Sequence, residues 1–204
     1  LGIVYKAKTK NNSFCAVKVQ RPNLYFLIRR DVVILKILAN IFGSFLPLNI
    51  GVGIGEIIDE FGEALFEEID YEKEGKNALK FADFFKTNPN VIIPKLEKDF
   101  SSKRVITTSW IDGVKLRDRE ILEQNNLIPS SYIRTCVISG LQQLFEYGYF
   151  HADPHPGNMF ALKGGSDDFG LLAYVDFGMM DTITKSDRLT LIKAIVHLIN
   201  QEYL

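Results

Sequence analysis

Five polar side chains, spread over most of the chain, are of the types that phosphoryl-transfer chemistry requires. They occur in the order Lys18, Glu74, Asp153, Asn158 and Asp176. A lysine can bind the α- and β-phosphates of ATP, and a glutamate can hold that lysine in place. An aspartate can orient or deprotonate an attacking hydroxyl or water, while an asparagine and a second aspartate can bind Mg²⁺. The order predicts chemistry on Mg-ATP, with Asp153 and Lys18 as catalytic residues.

Four of these residues lie in short motifs whose internal spacing matches that of a kinase. Lys18 ends an Ala-Val-Lys tripeptide that begins at Ala16, and Asp176 opens an Asp-Phe-Gly triplet. Asp153 and Asn158 are five residues apart in the segment HADPHPGN. In a protein kinase the metal-binding asparagine also lies five residues after the catalytic-loop aspartate. One such motif would be weak evidence, but several in one order are hard to obtain by chance.

A second Asp-Phe-Gly triplet begins at Asp168 and competes with Asp176 for the metal. The kinase triplet follows a β-hairpin that comes after the catalytic-loop asparagine. Asp168 would leave only 159–167 for both strands, whereas Asp176 allows strands at 159–162 and 171–176 around a turn at 163–170. We therefore assign Mg²⁺ to Asn158 and Asp176 and expect Asp168 to be an exposed turn residue.

Two strands should position the lysine. The pattern predicts strands at 4–8 and 14–20, joined by a polar turn at 9–13. Alternation along the second strand puts Ala16 and Lys18 on one face. A small residue there suits contact with adenine, and a lysine beside it can reach the phosphates.

The remaining elements predict an α+β protein with two lobes, about 1–112 and 113–204. We expect helices at 24–42, at 56–85 with a break near 66–70, at 131–147 and at 186–199. In the helix at 131–147, Ile133, Val137, Leu141 and Leu144 form the apolar stripe that should face the core. Further strands are predicted at 91–96 and 105–110, and 111–113 should turn the chain out of the first lobe.

The sequences of the motifs resemble those of the UbiB family, also called ABC1, AarF or ADCK, of atypical kinase-like proteins. The resemblance rests on HADPHPGN, on AVKVQRP at 16–22, and on Glu68-x-Asp70, which matches the family's ExD motif. It implies a two-lobed protein-kinase-like fold and a single kinase-like domain over 1–204. It also implies that Ala16, Lys18 and Glu74 bind ATP.

The resemblance further implies ATP hydrolysis or phosphotransfer that supports the metabolism of prenylquinones such as ubiquinone or plastoquinone. A prenylquinone precursor or lipid is an additional partner on this basis, together with peripheral membrane association. Two alternatives stay open. One is a Ser/Thr protein kinase, and the other is a nucleotide-binding regulatory pseudokinase or scaffold without turnover.

The first residues resemble the end of the family's Ala-rich nucleotide loop, with Ile3 where the family usually has Gln. The family's KxGQ segment, which precedes that loop, is missing from this sequence, so we expect a fragment that covers the kinase-like core. An intracellular location is expected, in a cyanobacterial cytoplasm, a plastid or a mitochondrion, with membrane association as an option.

A zinc site is a rival interpretation of the catalytic-loop segment. His151 and His155 are four residues apart with Asp153 between them, and two histidines at that spacing bind zinc on a helix. Pro154 and Pro156 make a helix implausible here. We expect His151 to fix the loop through hydrogen bonds instead.

Composition excludes several other classes. The net charge of −1 offers no bulk attraction to nucleic acid, and the two cysteines form neither a disulfide framework nor a CxxC site. No GxxxxGK[ST] segment is present, which excludes a P-loop NTPase. The glycine-rich stretch at 51–55 is expected to be a connector. The apolar stretch at 32–50 is interrupted by Lys36 and should pack on the protein rather than cross a bilayer.

Overall fold

The computed structural model describes residues 2–42, 53–165 and 168–200. Its strands are β1 Gly2–Lys8, β2 Phe14–Gln20, β3 Val91–Ile92, β4 Val105–Ser109, β5 Val114–Lys115, β6 Tyr149–His151, β7 Met159–Gly165, β8 Gly170–Tyr174 and β9 Met180–Thr182. Its α-helices are α1 Leu24–Phe42, α2 Ile54–Glu68, α3 Tyr71–Phe85, α4 Arg119–Gln124, α5 Pro129–Leu141 and α6 Lys185–Ile199. Short 3₁₀ turns cover Lys98–Phe100 and Pro156–Asn158, and a π-helical turn covers Gln142–Tyr147.

The chain forms two compact units. The first comprises Leu1–Gly75 and Leu96–Ser109, and the second comprises Lys76–Lys95 and Trp110–Leu204. The chain therefore leaves the first unit after Ser109, just before the turn predicted at 111–113. The second unit also includes an earlier segment, Lys76–Lys95.

An antiparallel sheet in the order β1-β2-β4 forms one part of the first unit. Lys18 lies at its centre, with Val4 opposite on β1 and Ile106 opposite on β4. The turn between β1 and β2 is closed by the Asn12 backbone N–H, which donates to the Thr9 carbonyl at 2.9 Å. Asn12 has a positive φ of 68°, which asparagine tolerates better than most residues. Both strands lie where the sequence predicts them.

The long acidic helical stretch divides into α2 and α3 at Ile69 and Asp70, inside the predicted break. Asp70 ends the first helix and caps the second, because its carboxylate accepts from the Lys73 backbone N–H at 3.0 Å. Its carbonyl accepts from the Glu74 N–H at 2.9 Å. Asp70 is therefore a cap at the start of α3 rather than a residue within one unbroken helix.

Helix α1 packs against α2, as expected of the described part of the apolar stretch, but few of its apolar side chains are buried. Only Leu24 and Ile28 are buried on α1, in a small core with Ile69. Gly62 of α2 allows close approach, since a Cβ there would lie 3.1 Å from Val32. Val32 is half-buried, but most other apolar side chains of α1 face outward, including Phe26, Val33, Ile34, Ile37, Leu38 and Ile41. Packing against one face of a helix buries only a narrow stripe, and the rest of the surface stays exposed.

Part of the predicted apolar stretch and part of the predicted connector, residues 43–52, lie outside the described residues. Of the connector at 51–55, Gly53 is extended and precedes α2, whereas Ile54 and Gly55 are helical. The connector prediction is therefore wrong for these last two residues. Within the described ranges, no helix combines the length and apolarity needed to cross a membrane.

The second unit contains a mixed sheet in the order β3-β8-β7-β5. Strands β7 and β8 form the predicted hairpin, with Met159 opposite Tyr174. Strand β3 is only two residues long, shorter than the predicted 91–96. Pro94 follows soon after and has no N–H to donate to a neighbouring strand, which accounts for the early end of the ladder.

Aromatic side chains fill the core of the second unit. The Phe81 ring contacts those of Phe85, Tyr174 and Phe177, with ring centroids 4.8–5.3 Å apart. Met159 and Leu172 of the hairpin complete the same buried cluster. Because Phe177 lies within the second Asp-Phe-Gly triplet, this core determines where the backbone around Asp176 runs.

Helix α5 faces the core with a different side from the one expected. Ile133, Val137 and Leu141 are 56%, 54% and 46% exposed, so three of the four residues of the predicted apolar stripe face outward, and the fourth, Leu144, is half-buried. The buried face carries Tyr132, Thr135, Ser139 and, in the π-helical turn, Gln143. These polar groups can be buried because each one has a hydrogen-bond partner in the hairpin or the catalytic loop. The left-handed Gly148, at φ 64°, then ends the helical segment as predicted.

Candidate active site

The lysine and glutamate predicted to act together form an ion pair in the first unit. The Lys18 Nζ lies 2.8 Å from Glu74 Oε1 and 2.9 Å from Oε2. The Glu74 side chain is only 3% exposed, while that of Lys18 is 21% exposed. The Lys18 ammonium also lies 5.2 Å from the centre of the Tyr71 ring. A buried carboxylate with two short contacts holds the ammonium in one place.

Local structure explains why this pair forms. Lys18 lies on the central strand, so neighbours on both sides fix its backbone. Glu74 lies in the first turn of α3, which the Asp70 cap starts. The Gln20 side chain of β2 donates to the Ile69 carbonyl at 2.8 Å and connects the strand to this break. Glu68, the other member of the ExD pair, is the last residue of α2.

His151 organises the catalytic-loop segment in the second unit. Its Nδ1 accepts from the Asp153 backbone N–H at 3.1 Å, and its Nε2 lies 2.8 Å from the Asp176 carbonyl oxygen. A carbonyl only accepts, so Nε2 carries the proton and donates. One imidazole therefore connects the backbones of Asp153 and Asp176. Burial lowers the pKa of His151 below its ordinary value, although the Asp176 carbonyl and the nearby carboxylates oppose the shift.

Asn158 and Asp176 are connected through the residue between β8 and the triplet. The Val175 N–H donates to the Asn158 carbonyl at 3.2 Å. The Asp176 carboxylate accepts from the Gly178 N–H at 3.0 Å, which fixes its orientation. Carboxylate and amide oxygens are ligands that Mg²⁺ takes together with phosphate oxygens. These residues therefore fit the metal that the sequence implies.

The loop between His151 and Asn158 is not helical before Pro156, as its prolines require. His155 stabilises the following 3₁₀ turn, because its Nδ1 accepts from the Gly157 N–H at 3.0 Å. Both ring nitrogens of His151 are already engaged in hydrogen bonds. That leaves His151 without a lone pair for zinc in this arrangement. In the part of the chain that is described, no group of three or more His, Cys, Asp or Glu residues is arranged to hold a metal ion.

The competing triplet lies at the end of the hairpin. The Asp168 side chain is 76% exposed and pairs with Arg134 at 3.0 Å. It lies between β7 and β8, whereas Asp176 follows β8. Residues 166 and 167, on the preceding side of the turn, lie outside the described residues.

Three residues that the sequence analysis did not single out also contact the catalytic segments. Asn77 donates to the Phe177 carbonyl at 2.9 Å and accepts from the Tyr149 hydroxyl at 3.0 Å. Gln143 accepts from the His151 backbone N–H at 2.9 Å. Burial raises the pKa of Tyr149 to about 12, so its hydroxyl stays protonated and can donate. The sequence contains a pattern that could have indicated Gln143, because a polar residue occurs at every fourth position: Ser131, Thr135, Ser139 and Gln143.

Comparison with known proteins identifies the family. The model of the ABC1 atypical kinase-like domain matches residues 1–204. The Synechocystis protein slr1919 is 47% identical over 204 residues, which is 100% of this chain and 35% of that protein. The Arabidopsis thaliana protein named ACTIVITY OF BC1 COMPLEX KINASE 1, chloroplastic, is 37% identical, over 100% of this chain and 29% of its own length. The chain thus spans about a third of these relatives.

A solved structure supports the fold. Rv3197 from Mycobacterium tuberculosis, described in complex with erythromycin, is 26% identical and superposes with a TM-score of 0.63. The match covers 89% of this chain and 44% of that protein. The prediction of an α+β, two-lobed, protein-kinase-like fold is confirmed, and so is the resemblance to the UbiB group. The chain belongs to the family of ABC1 atypical kinase-like domains.

Proposed function

We propose that this chain binds Mg-ATP and either hydrolyses it or transfers its terminal phosphoryl group, as a UbiB-type atypical kinase. The observation that carries the proposal is the ion pair between Lys18 and Glu74, with contacts of 2.8 and 2.9 Å. Holding a lysine with a buried carboxylate removes much of its freedom before a ligand arrives. That arrangement suits the binding of a polyanion such as ATP in a defined pose.

Each site residue has a distinct role in this proposal. Lys18 binds the α- and β-phosphates, and Ala16 leaves room for the adenine. Asp153 orients the attacking hydroxyl or water and accepts its proton. Asn158 and Asp176 would bind Mg²⁺, which neutralises charge on the phosphates when bound. Of the ExD residues, Asp70 caps α3 and so helps to position Glu74, while Glu68 is the last residue of α2.

The catalytic loop is preorganised for this chemistry by its own backbone. His151 holds the backbone of Asp153 through one nitrogen and that of Asp176 through the other. His151 thus positions both Asp153, which acts on the nucleophile, and Asp176, which binds the metal. Preorganised polar groups need little rearrangement as charge develops in the transition state.

The experiment that tests the proposal is steady-state release of phosphate from Mg-ATP, with and without a phenolic mimic of a prenylquinone precursor. We expect turnover in the wild type and a loss of at least about 100-fold in Asp153→Asn, since general base catalysis contributes roughly that much or more. Asp187→Asn on α6 is the control, because it also removes one surface carboxylate but lies outside the catalytic loop. Binding of ATP with no release of phosphate in any condition would instead favour a regulator without turnover.

We also propose that the reaction supports prenylquinone metabolism beside a membrane. The relatives described above are cyanobacterial and chloroplastic proteins, and the motifs resemble those of UbiB proteins. The exposed apolar side of α1 supports peripheral association with a lipid surface. Ile37→Glu, at 53% exposure on α1, should reduce cosedimentation with lipid vesicles. Ile121→Glu on α4, 46% exposed, is the matched control and should not.

A further inference from the structure

A row of buried polar side chains runs along α5 and the π-helical turn. Ser131, Thr135, Ser139 and Gln143 are between 1% and 6% exposed. Thr135 donates to the Gly170 carbonyl at 2.8 Å, and Ser139 lies 2.8 Å from the Tyr174 hydroxyl. The row therefore follows β8 toward its end, where the chain continues to Asp176.

Gln143 is the last member of this row and the one that contacts the catalytic loop. Its Oε1 accepts from the His151 backbone N–H at 2.9 Å. Gln143 is only 3% exposed, so bulk water has little access to this contact.

The bonds beyond Gln143 lead to the two aspartates on which the proposed chemistry depends. The same His151 residue supports the Asp153 backbone through Nδ1 and the Asp176 carbonyl through Nε2. Gln143 therefore holds the His151 backbone directly, and the His151 ring connects that point to the backbones of Asp153 and Asp176.

We propose that Gln143 is a positioning residue for the catalytic loop, whose amide oxygen holds the His151 backbone and thereby the places of Asp153 and Asp176. This inference rests on the proposed function, because it assigns the reaction to those two aspartates. Gln143 touches no reacting atom in this role. Its effect passes through His151.

The neighbouring residue offers a matched control. Gln142 lies in the same π-helical turn, but its Oε1 accepts from the Asn88 side chain at 3.3 Å and does not reach His151. Gln142→Met and Gln143→Met remove the same group and leave a side chain of similar length. Only the second removes the acceptor for the His151 N–H.

The test compares Mg-ATP turnover of the two variants with the wild type. We expect Gln143→Met to lower kcat about tenfold with little change in KM for ATP, since one buried hydrogen bond is worth roughly that factor. Gln142→Met should stay within about twofold of the wild type. The proposal is overturned by a Gln143→Met enzyme as active as Gln142→Met.

Amide hydrogen exchange gives a second readout that does not depend on activity. The His151 amide should exchange at least about tenfold faster in Gln143→Met than in Gln142→Met, while the Tyr149 amide on the same strand changes little. If the wild type releases no phosphate, the proposed function fails. The exchange rates of the His151 amide in the two variants then decide by themselves whether Gln143 stabilises the His151 backbone. If Gln143→Met does not fold, Gln143→Asn replaces it, because its amide is one methylene too short to reach.

Discussion

The ion pair between Lys18 and Glu74 predicts an asymmetric response to mutation. The two side chains differ in exposure, 21% for the lysine and 3% for the glutamate. Lys18→Met leaves a carboxylate buried without its partner's charge, which costs about 3–4 kcal/mol of the free energy of unfolding. Glu74→Gln leaves an ammonium that can reach water, so about 1–2 kcal/mol should be lost with the charge-assisted bonds.

The double variant is the decisive one. Lys18→Met with Glu74→Gln removes both charges of the pair, so the protein should recover about 2 kcal/mol relative to Lys18→Met alone. Urea unfolding at pH 7.5, followed by far-UV circular dichroism, measures all four proteins of this cycle. The exposed pair Arg119 and Glu123 on α4, at 82% and 57% exposure, provides the control cycle and should show coupling below about 0.5 kcal/mol. A double variant less stable than Lys18→Met would refute the reasoning, since it would show that Glu74 does not depend on the lysine charge.

Three further predictions concern other parts of the site. Asp176→Asn should abolish Mg-dependent release of phosphate from ATP, and Asp168→Asn should leave it almost unchanged; the reverse pattern in a phosphate assay would mean that the metal belongs to the first triplet. Burial lowers the folded-state pKa of His151, so the unfolded chain takes up a proton first as the pH falls. The stability that His151 contributes should be complete above about pH 6.5 and decline below it, and urea midpoints of His151→Gln should lack this part of the decline. Asn77→Leu removes bonds to the Phe177 carbonyl and to a buried tyrosine hydroxyl, which should cost about 1–3 kcal/mol in urea unfolding, and an unchanged midpoint would contradict that estimate.

Local chemistry in the sequence predicts the motif-bearing segments well. The strand that carries Lys18, the break before Glu74 and the hairpin before Asp176 follow from alternation, turn residues and prolines, which act within a few residues. The contact between Lys18 and Glu74 is present in the structure, while the roles of the site residues in ATP chemistry stay predictions. Membership in the family could be recognised because HADPHPGN is so specific.

The faces of two helices could not be predicted in the same way. The apolar stripe rule assumes that apolar side chains point inward, but α5 buries Thr135 and Ser139 because β8 offers them partners. Those partners are more than 30 residues away in the sequence, so no local pattern shows them. On α1 the amount of apolar surface says nothing about how many neighbours are available to cover it. Burial is a property of the tertiary arrangement in both cases.

The π-helical turn at Gln142–Tyr147 bears on how length changes are tolerated in this segment. A π turn contains about one residue more than an α-helical turn, and it takes up that residue within the turn itself. Deleting one residue between Gln142 and Tyr147 would restore α-helical spacing, so α5 could keep its course and its contacts. The side chains within the turn would change direction, because each residue of an α-helix advances by about 100° around the axis. A gap at this turn in an alignment of this family therefore bears on the side chains beside His151 rather than on the course of α5.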